Sequence, residues 1–288
     1  DVLDPSGRTV DTWTWRVKKA VDIARRVVTP GTGTTSVTED PGSVTLSAGG
    51  TAVTLSKSTG RLLRVTRDGA SVSPADGPAL AVGSATPSGV THFRDGTGYV
   101  VQATYSGDLD LVRRRLDSNG RLRLEYRYTR TGPHDFLGVN LDYPEHKVLG
   151  MTWLGDGPYR VWKNRMRGVS HGVWTKDHNN TATGASLWQY PEFKGYHANT
   201  YWAALRTTEG TITLVAEQEN LFLRLFTPEV GASPMFATAP FPAGGISLLD
   251  GIPAMGNKFH AADALGPEGR RVEGVSRYDR TVHFRFDA

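Results

Sequence analysis

From Val44 to the C-terminus the chain is a succession of short segments in which apolar and polar residues alternate, cut by glycine turns and without a convincing long helix between them. A period of two puts successive side chains on opposite faces, so each segment must pair with neighbours and bury one face. Val44–Ser47 and Ala52–Ser56 flank Gly49-Gly50, and Thr59-Gly60 separates the second from Arg61–Arg67, which reads as a meander. Similar runs follow at Gly98–Tyr105, Leu109–Leu116, Leu122–Tyr128, Thr211–Ala216, Leu221–Thr227 and Thr281–Phe286, with tight turns at Asp68-Gly69 and Asn119-Gly120. Strands without intervening helices of about 10–15 residues argue against a βα barrel and predict an all-β sandwich of antiparallel sheets. There are too many of them for a small immunoglobulin-like domain, and no fixed-period repeat points to a propeller.

The first 43 residues read differently. Asp4–Arg8 is a turn, Thr9–Val17 alternates like a half-buried strand, and Lys18–Val28 has helical spacing with Ala20, Val21, Ile23, Ala24 and Val27 apolar. Thr29–Ser43, rich in Gly, Thr, Ser and Pro, reads as a linker. The expected division is 1–43, the tail of a preceding domain plus linker, and 44–288, one large domain. A chain that starts Asp1-Val2-Leu3-Asp4 without Met is expected to follow something upstream.

At 288 residues the chain is long enough to bury a sizeable core, and its 33 Gly and 16 Pro suit a fold full of turns. The net charge of +4 is spread along the chain with no basic block, so no nucleic-acid partner is expected. Zero cysteines exclude disulfides and thiol chemistry. No run of about 18 apolar residues is present, and no membrane partner is expected. The compartment, secreted or cytoplasmic, is left open.

Between Trp153 and Arg165 a Gly155-Asp156-Gly157-Pro158 turn is set among aromatics and cations, the chemistry of sugar contact, in which ring faces stack on pyranoses while charged donors meet hydroxyls. In order along the chain stand Thr59-Gly60-Arg61-Leu62, Asp68-Gly69, Leu137-Gly138-Val139-Asn140, Trp153-Leu154-Gly155-Asp156-Gly157-Pro158 and Arg165, then Glu192–Asn199 and Tyr201–Leu205. This order resembles the C-terminal domain of glycoside hydrolase family 2 β-galactosidases, over residues 44–288. The resemblance implies a galactose-mutarotase-like supersandwich that contacts a galactoside or related oligosaccharide and partners an upstream catalytic domain. It also implies that Asp1–Val17 is the last strand of an immunoglobulin-like domain.

The departures from that family's pattern are specific. After Gly77-Pro78, Ala79–Gly83 replaces a Trp-Arg-Ala-Pro segment; after Gly157-Pro158, Tyr159-Arg160-Val161-Trp162 replaces an acidic residue and a Tyr. A Gly-Asp-Asp-Ser-Trp loop is matched only loosely by Met255–Phe259, with Phe259 at the Trp position.

Glycosidases need two carboxyl groups about 5 to 9.5 Å apart. In the resembled family both lie on a barrel domain, so the chain is expected to lack its own pair. The residues expected to touch sugar are Trp162, Arg165, His171, Trp174, Glu192, His197, Asn199, Asn257 and Phe259; Trp153 and Trp202 are expected in the core. An epimerase on the same fold would take its acid from His134, His146, His171, His178 or His197 and use a carboxylate as base. A polysaccharide lyase would draw on Tyr159, Arg160, Lys163, Arg165 and His171, and a free-standing binding domain is the third alternative. No metal and no cofactor are expected, because no His or Asp spacing matches a compact motif.

Overall fold

The computed structural model describes residues 1–29, 31–74, 76–177, 195–225, 227 and 240–287. Along the chain these form β1 (Val2–Leu3), β2 (Thr9–Asp11), α1 (Ala20–Val27), β3 (Ser36–Glu39), β4 (Ser43–Ala48), β5 (Thr51–Ser56), β6 (Leu62–Arg67) and β7 (Ala70–Val72). There follow β8 (Asp76–Leu80), β9 (Ala85–Asp95), β10 (Gly98–Gly107), β11 (Leu109–Leu116), β12 (Leu122–His134), β13 (Leu137–Asp142), β14 (Val148–Gly157) and β15 (Ser170–Asp177). The last strands are β16 (Trp202–Thr207), β17 (Gly210–Ala216), β18 (Phe222–Arg224), β19 (Ile246–Gly251) and β20 (Val272–Asp287).

The fold is all-β, with every strand pair antiparallel, as the alternation requires. A nine-stranded sheet runs β15-β14-β16-β17-β20-β12-β11-β10-β9; a five-stranded sheet runs β3 to β7 in sequence order, and a four-stranded sheet runs β18-β19-β13-β8. One core joins all three: Val101, Val112, Leu124, Tyr126 and Phe284 from the large sheet meet Leu46, Val53 and Leu55 from the second and Val139, Leu141 and Leu248 from the third. Trp153 belongs to this core, as expected, whereas Trp202 is only half-buried.

The N-terminal segment departs from its reading as strand, helix and free linker. The helix is there, but Trp13, Trp15 and Val17 are 57, 80 and 89% exposed, because Thr14 and Arg16, not the apolar residues between them, turn towards the domain. The linker stretch contains β3, which pairs with β4 from Ser36↔Ser47 to Glu39↔Val44, so the sheet starts ahead of Val44. Thr35 is fully buried, its amide donating to the Thr97 carbonyl at 2.8 Å and its hydroxyl to that of Leu116 at 2.9 Å. Glycine and serine content read as looseness, but polar backbone pairing pins this stretch to the large sheet.

Helix α1 lies against β17 with Ala20 and Ala24 buried. Its N-cap, Lys19, supplies no side-chain acceptor. Glu219 does so from a distant part of the chain, accepting from the Ala20 amide at 2.6 Å while its other oxygen accepts from the Tyr201 hydroxyl at 2.7 Å. A carboxylate at the positive end of a helix is favoured both as a cap and by the helix dipole. Glu219→Ala is therefore expected to cost about 1–2 kcal/mol locally. Hydrogen exchange of the α1 amides should accelerate about tenfold while β12 and β20 exchange unchanged, and an unchanged helix would refute the capping role.

Candidate functional site

The segment joining β14 to β15 is built by exclusion as much as by attraction. Gly157, the last residue of β14, carries the Trp174 indole over its backbone, where a Cβ would lie 2.5 Å from the ring. The Trp174 Nε1 donates to the Ser170 carbonyl at 3.2 Å, which fixes the ring on β15. Beyond Pro158 the Val161 and Tyr196 backbones exchange two hydrogen bonds of 2.8 Å. Gly195 permits this approach, since a Cβ there would stand 2.0 Å from the Val161 carbonyl oxygen.

Trp162 then drops into a second core with Phe136, Tyr196, Leu249, Ile252 and Met255. It is 1% exposed and meets the rings of Tyr196 and Phe241 edge-on at centroid distances of 5.4 and 5.3 Å. The next residues stitch this loop to the one after β19. The Lys163 amide donates to the Pro253 carbonyl at 3.0 Å, the Asn164 side chain closes a two-way ring with Met255 at 2.9 Å each way, and Arg165 Nη2 donates to the Gly256 carbonyl at 2.7 Å. Lys163 Nζ reaches Glu268 Oε2 at 3.3 Å. Trp162 and Arg165, read as sugar contacts, thus serve the scaffold: the ring is buried and the half-buried guanidinium ties the loop to the Gly256 carbonyl.

What this scaffold holds is a cleft of about 490 Å³ bordered by Asp135, Pro240, Pro253, Asp263, Arg270 and Arg271. Asp135 accepts from Arg271 Nε at 3.0 Å. On the loop that bounds the cleft, Asn257 Oδ1 accepts from the amides of Phe259 and His260 at 2.8 Å each, a turn that sends the Phe259 ring into solvent at 68% exposure. Lys258 Nζ sits 5.6 Å from the centroid of that ring. Of the expected residues, Asn257 and Phe259 therefore share one turn on this loop, the first as turn-former and the second as an open aromatic face. The cleft's charged residues escaped the sequence reading because Asp135 comes from the β12–β13 loop and Asp263, Arg270 and Arg271 from the distant β19–β20 connection, with no local motif.

A second group gathers at the end of β14. Asp156 pairs across the sheet with His171, whose Nδ1 lies 3.2 Å from Oδ1, and its Oδ2 accepts from Asn199 Nδ2 at 2.5 Å. Asn199 adopts a left-handed φ of 49°, which aims its amide at Asp156. The His171 ring meets Tyr201 edge-on at 4.9 Å, and its backbone amide donates to Thr14 Oγ1 at 2.8 Å. His171 and Asn199 are therefore brought together, but as a clasp under the N-terminal segment. Burial by itself would raise the Asp156 carboxyl; hydrogen bonds from His171 and Asn199 outweigh it and hold the group below the usual carboxylate range.

His197 lies apart from both groups. It is 3% exposed, packs edge-on to Trp153 at 4.8 Å, and neither ring nitrogen has a hydrogen-bond partner among the described residues. Burial, and then the charges of Arg160 and Lys176, push its pKa well below the usual histidine value, so it is a neutral core ring. Trp174 is half-buried and packed on Gly157, and Glu192 and His178 lie outside the described residues. Among the described residues no three His, Asp or Glu side chains gather around a point that would hold a metal ion.

No protein-family model matches this sequence, and no curated protein does. Among solved structures it is similar to a galactose 1-epimerase from Lactobacillus acidophilus NCFM, at 12% identity over 89% of this chain and 99% of that one, with a TM-score of 0.42. A likeness of that size transfers no residue role.

Two measurements separate scaffold from surface. Trp162→Ala is expected to cost about 3–5 kcal/mol of stability in chemical denaturation, as for a buried aromatic, and a loss under 1 kcal/mol would contradict its place in the core. The Asp156 carboxyl has a lower pKa folded than unfolded, so its contribution is complete above the unfolded value near pH 4 and is lost as pH falls through the folded value. Stability of Asp156→Asn should accordingly fall less steeply than wild type below about pH 4. Parallel curves would remove Asp156 from the acid transition.

Proposed function

We propose that this chain is a carbohydrate-contacting supersandwich module of the galactose-mutarotase-like kind, serving a glycoside hydrolase whose catalytic carboxylates lie on another domain. The observation that carries the reading is the fastening of two separate loops, 158–168 and 252–269, into one rim beside an open cleft of about 490 Å³, a size suited to a small saccharide. The Phe259 ring supplies an apolar face for a pyranose, and Arg270, Arg271 and Asp263 supply donors and an acceptor for hydroxyls. The ordered motifs of the β-galactosidase type support a galactoside or a related oligosaccharide as the sugar.

Of the three histidine–carboxylate pairs among the described residues, His92–Glu39 at 3.8 Å does not line the cleft, and the two more buried pairs speak for a contact role over an epimerase. His171–Asp156 is closed over by Thr14 and Tyr201, and His283, 2.7 Å from Glu217, is 5% exposed. An acid and a base acting on one sugar ring need open space between them.

Isothermal titration of the chain with galactosides and related oligosaccharides tests the reading. Millimolar binding is expected for at least one, weakened about tenfold or more in Phe259→Ala and in Arg270→Ala, with no hydrolysis of an aryl galactoside by the chain alone. Hydrolysis by the chain alone, or binding untouched by both substitutions, would overturn it.

A further inference from the structure

A second cavity, sharing no lining residue with the first, opens where the turn after β5, the cis Gly77-Pro78 strand β8 and the ends of β10 and β11 meet. Its volume is about 470 Å³, and Pro78, Leu80 and Leu109 give it an apolar wall facing Arg61, Ser84 and Tyr105. Charge is distributed unevenly around it. Arg61 is paired with Asp76 through Nη2 at 2.5 Å, and Asp108, which accepts from the Ser84 amide at 3.1 Å, is paired with Arg130 at 2.9 Å.

Arg114 is the exception. Its side chain points from β11 into the sandwich, 3% exposed, and Nη1 donates to the Gly60 carbonyl at 2.5 Å, between the cavity residues Thr59 and Arg61. Among the described residues no carboxylate comes within ion-pair distance of it. Burial lowers its pKa, with Asp76 acting against that only from a distance. A guanidinium nevertheless stays charged in a protein, and a buried charge without a counter-ion is destabilising. One positive charge therefore stands uncompensated behind the wall of a cavity of ligand size.

We propose that this cavity binds a sugar acid, a hexuronate or its glycoside. The pyranose ring lies on the Pro78, Leu80 and Leu109 wall, the carboxylate meets the Nη1 edge of Arg61, whose Nε and Nη2 are held by Asp76, and the buried Arg114 supplies the field that favours an anion there. Tyr105, whose hydroxyl lies 3.5 Å from the Thr59 carbonyl, is placed to donate to a ring hydroxyl.

The test is a chemical-shift titration of the full chain, labelled with ¹⁵N, using galacturonate and glucuronate, the matching neutral hexoses, and inorganic phosphate. A uronate should shift the amides of Gly83, Ser84 and Tyr105 and bind at least tenfold tighter than its hexose, with phosphate weaker than the uronate. Arg114→Met should lose that tenfold preference, since an apolar side chain of similar size replaces the lone buried charge. Arg61→Met, at a side chain 57% exposed, should weaken uronate at least tenfold and carries the test if Arg114→Met does not fold. No shift with either uronate, equal binding of acid and hexose, phosphate matching the uronate, or wild-type uronate affinity in Arg61→Met would each overturn the site.

Discussion

The pairing of β12 with β20 is the constraint on which the rest of the molecule hangs. It runs unbroken from Leu122↔Phe284 to His134↔Val272 and joins strands some 150 residues apart in the chain, so the two halves of the large sheet exist as one surface only once it forms. Charge locks it to the facing layer. Arg280 on β20 holds Asp250 of β19 through Nε at 2.7 Å, the Tyr128 hydroxyl donates to the other Asp250 oxygen at 2.6 Å, and the Tyr128 and Tyr278 rings stack at 4.7 Å. Arg280 also donates to the Glu219 and Asn220 carbonyls, which places Glu219 where it caps α1. A single buried ion pair thus reaches three layers: the large sheet, the four-stranded sheet and the N-terminal helix.

Fold class was legible because period-two alternation is a local signal and strands such as β5, β11 and the first half of β12 bury alternate residues. Val44–Ser56, Leu109–Leu116 and Leu122–Tyr128 are strands for the reason their pattern suggests. The N-terminal region misled because amphipathicity tells how a segment divides its faces, not which face meets the domain. Thr14 and Arg16 find polar partners on the sheet, so Trp13 and Trp15 are left outside. Thr29–Ser43 misled for a different reason, since composition says nothing about a backbone partner such as Thr97 that arrives from a distant turn.

The site was legible only in outline. Trp162 looked like a binding residue because Gly and Pro surround it, yet a sharp turn can aim an aromatic inwards as readily as outwards, and Tyr196 and Phe241 had closed the space above it. Asp156 stood within the motif and drew no attention, because its partners His171 and Asn199 come from the next two strand regions. Phe259, singled out by a loose match to a family loop, stands exposed because the Asn257 side chain closes the turn that carries it. Cross-strand partners, not residue type, separate those outcomes.

Rigid framing of an exposed ring favours weak, selective contact. Asn164 and Arg165 hold carbonyls of Met255 and Gly256, so the loop that bears Phe259 is anchored before any ligand arrives and little conformational entropy is lost on contact. The buried Arg114 is the opposite kind of element, since its charge is already inside the protein and its desolvation cost has been met in folding. An anion in the neighbouring cavity is attracted by it through the wall without repeating that cost, whereas a neutral sugar is not. The two cavities thus differ in the charge around them: the first sets Asp135 and Asp263 among Arg270 and Arg271, whereas the second lies in front of a buried arginine without a counter-ion.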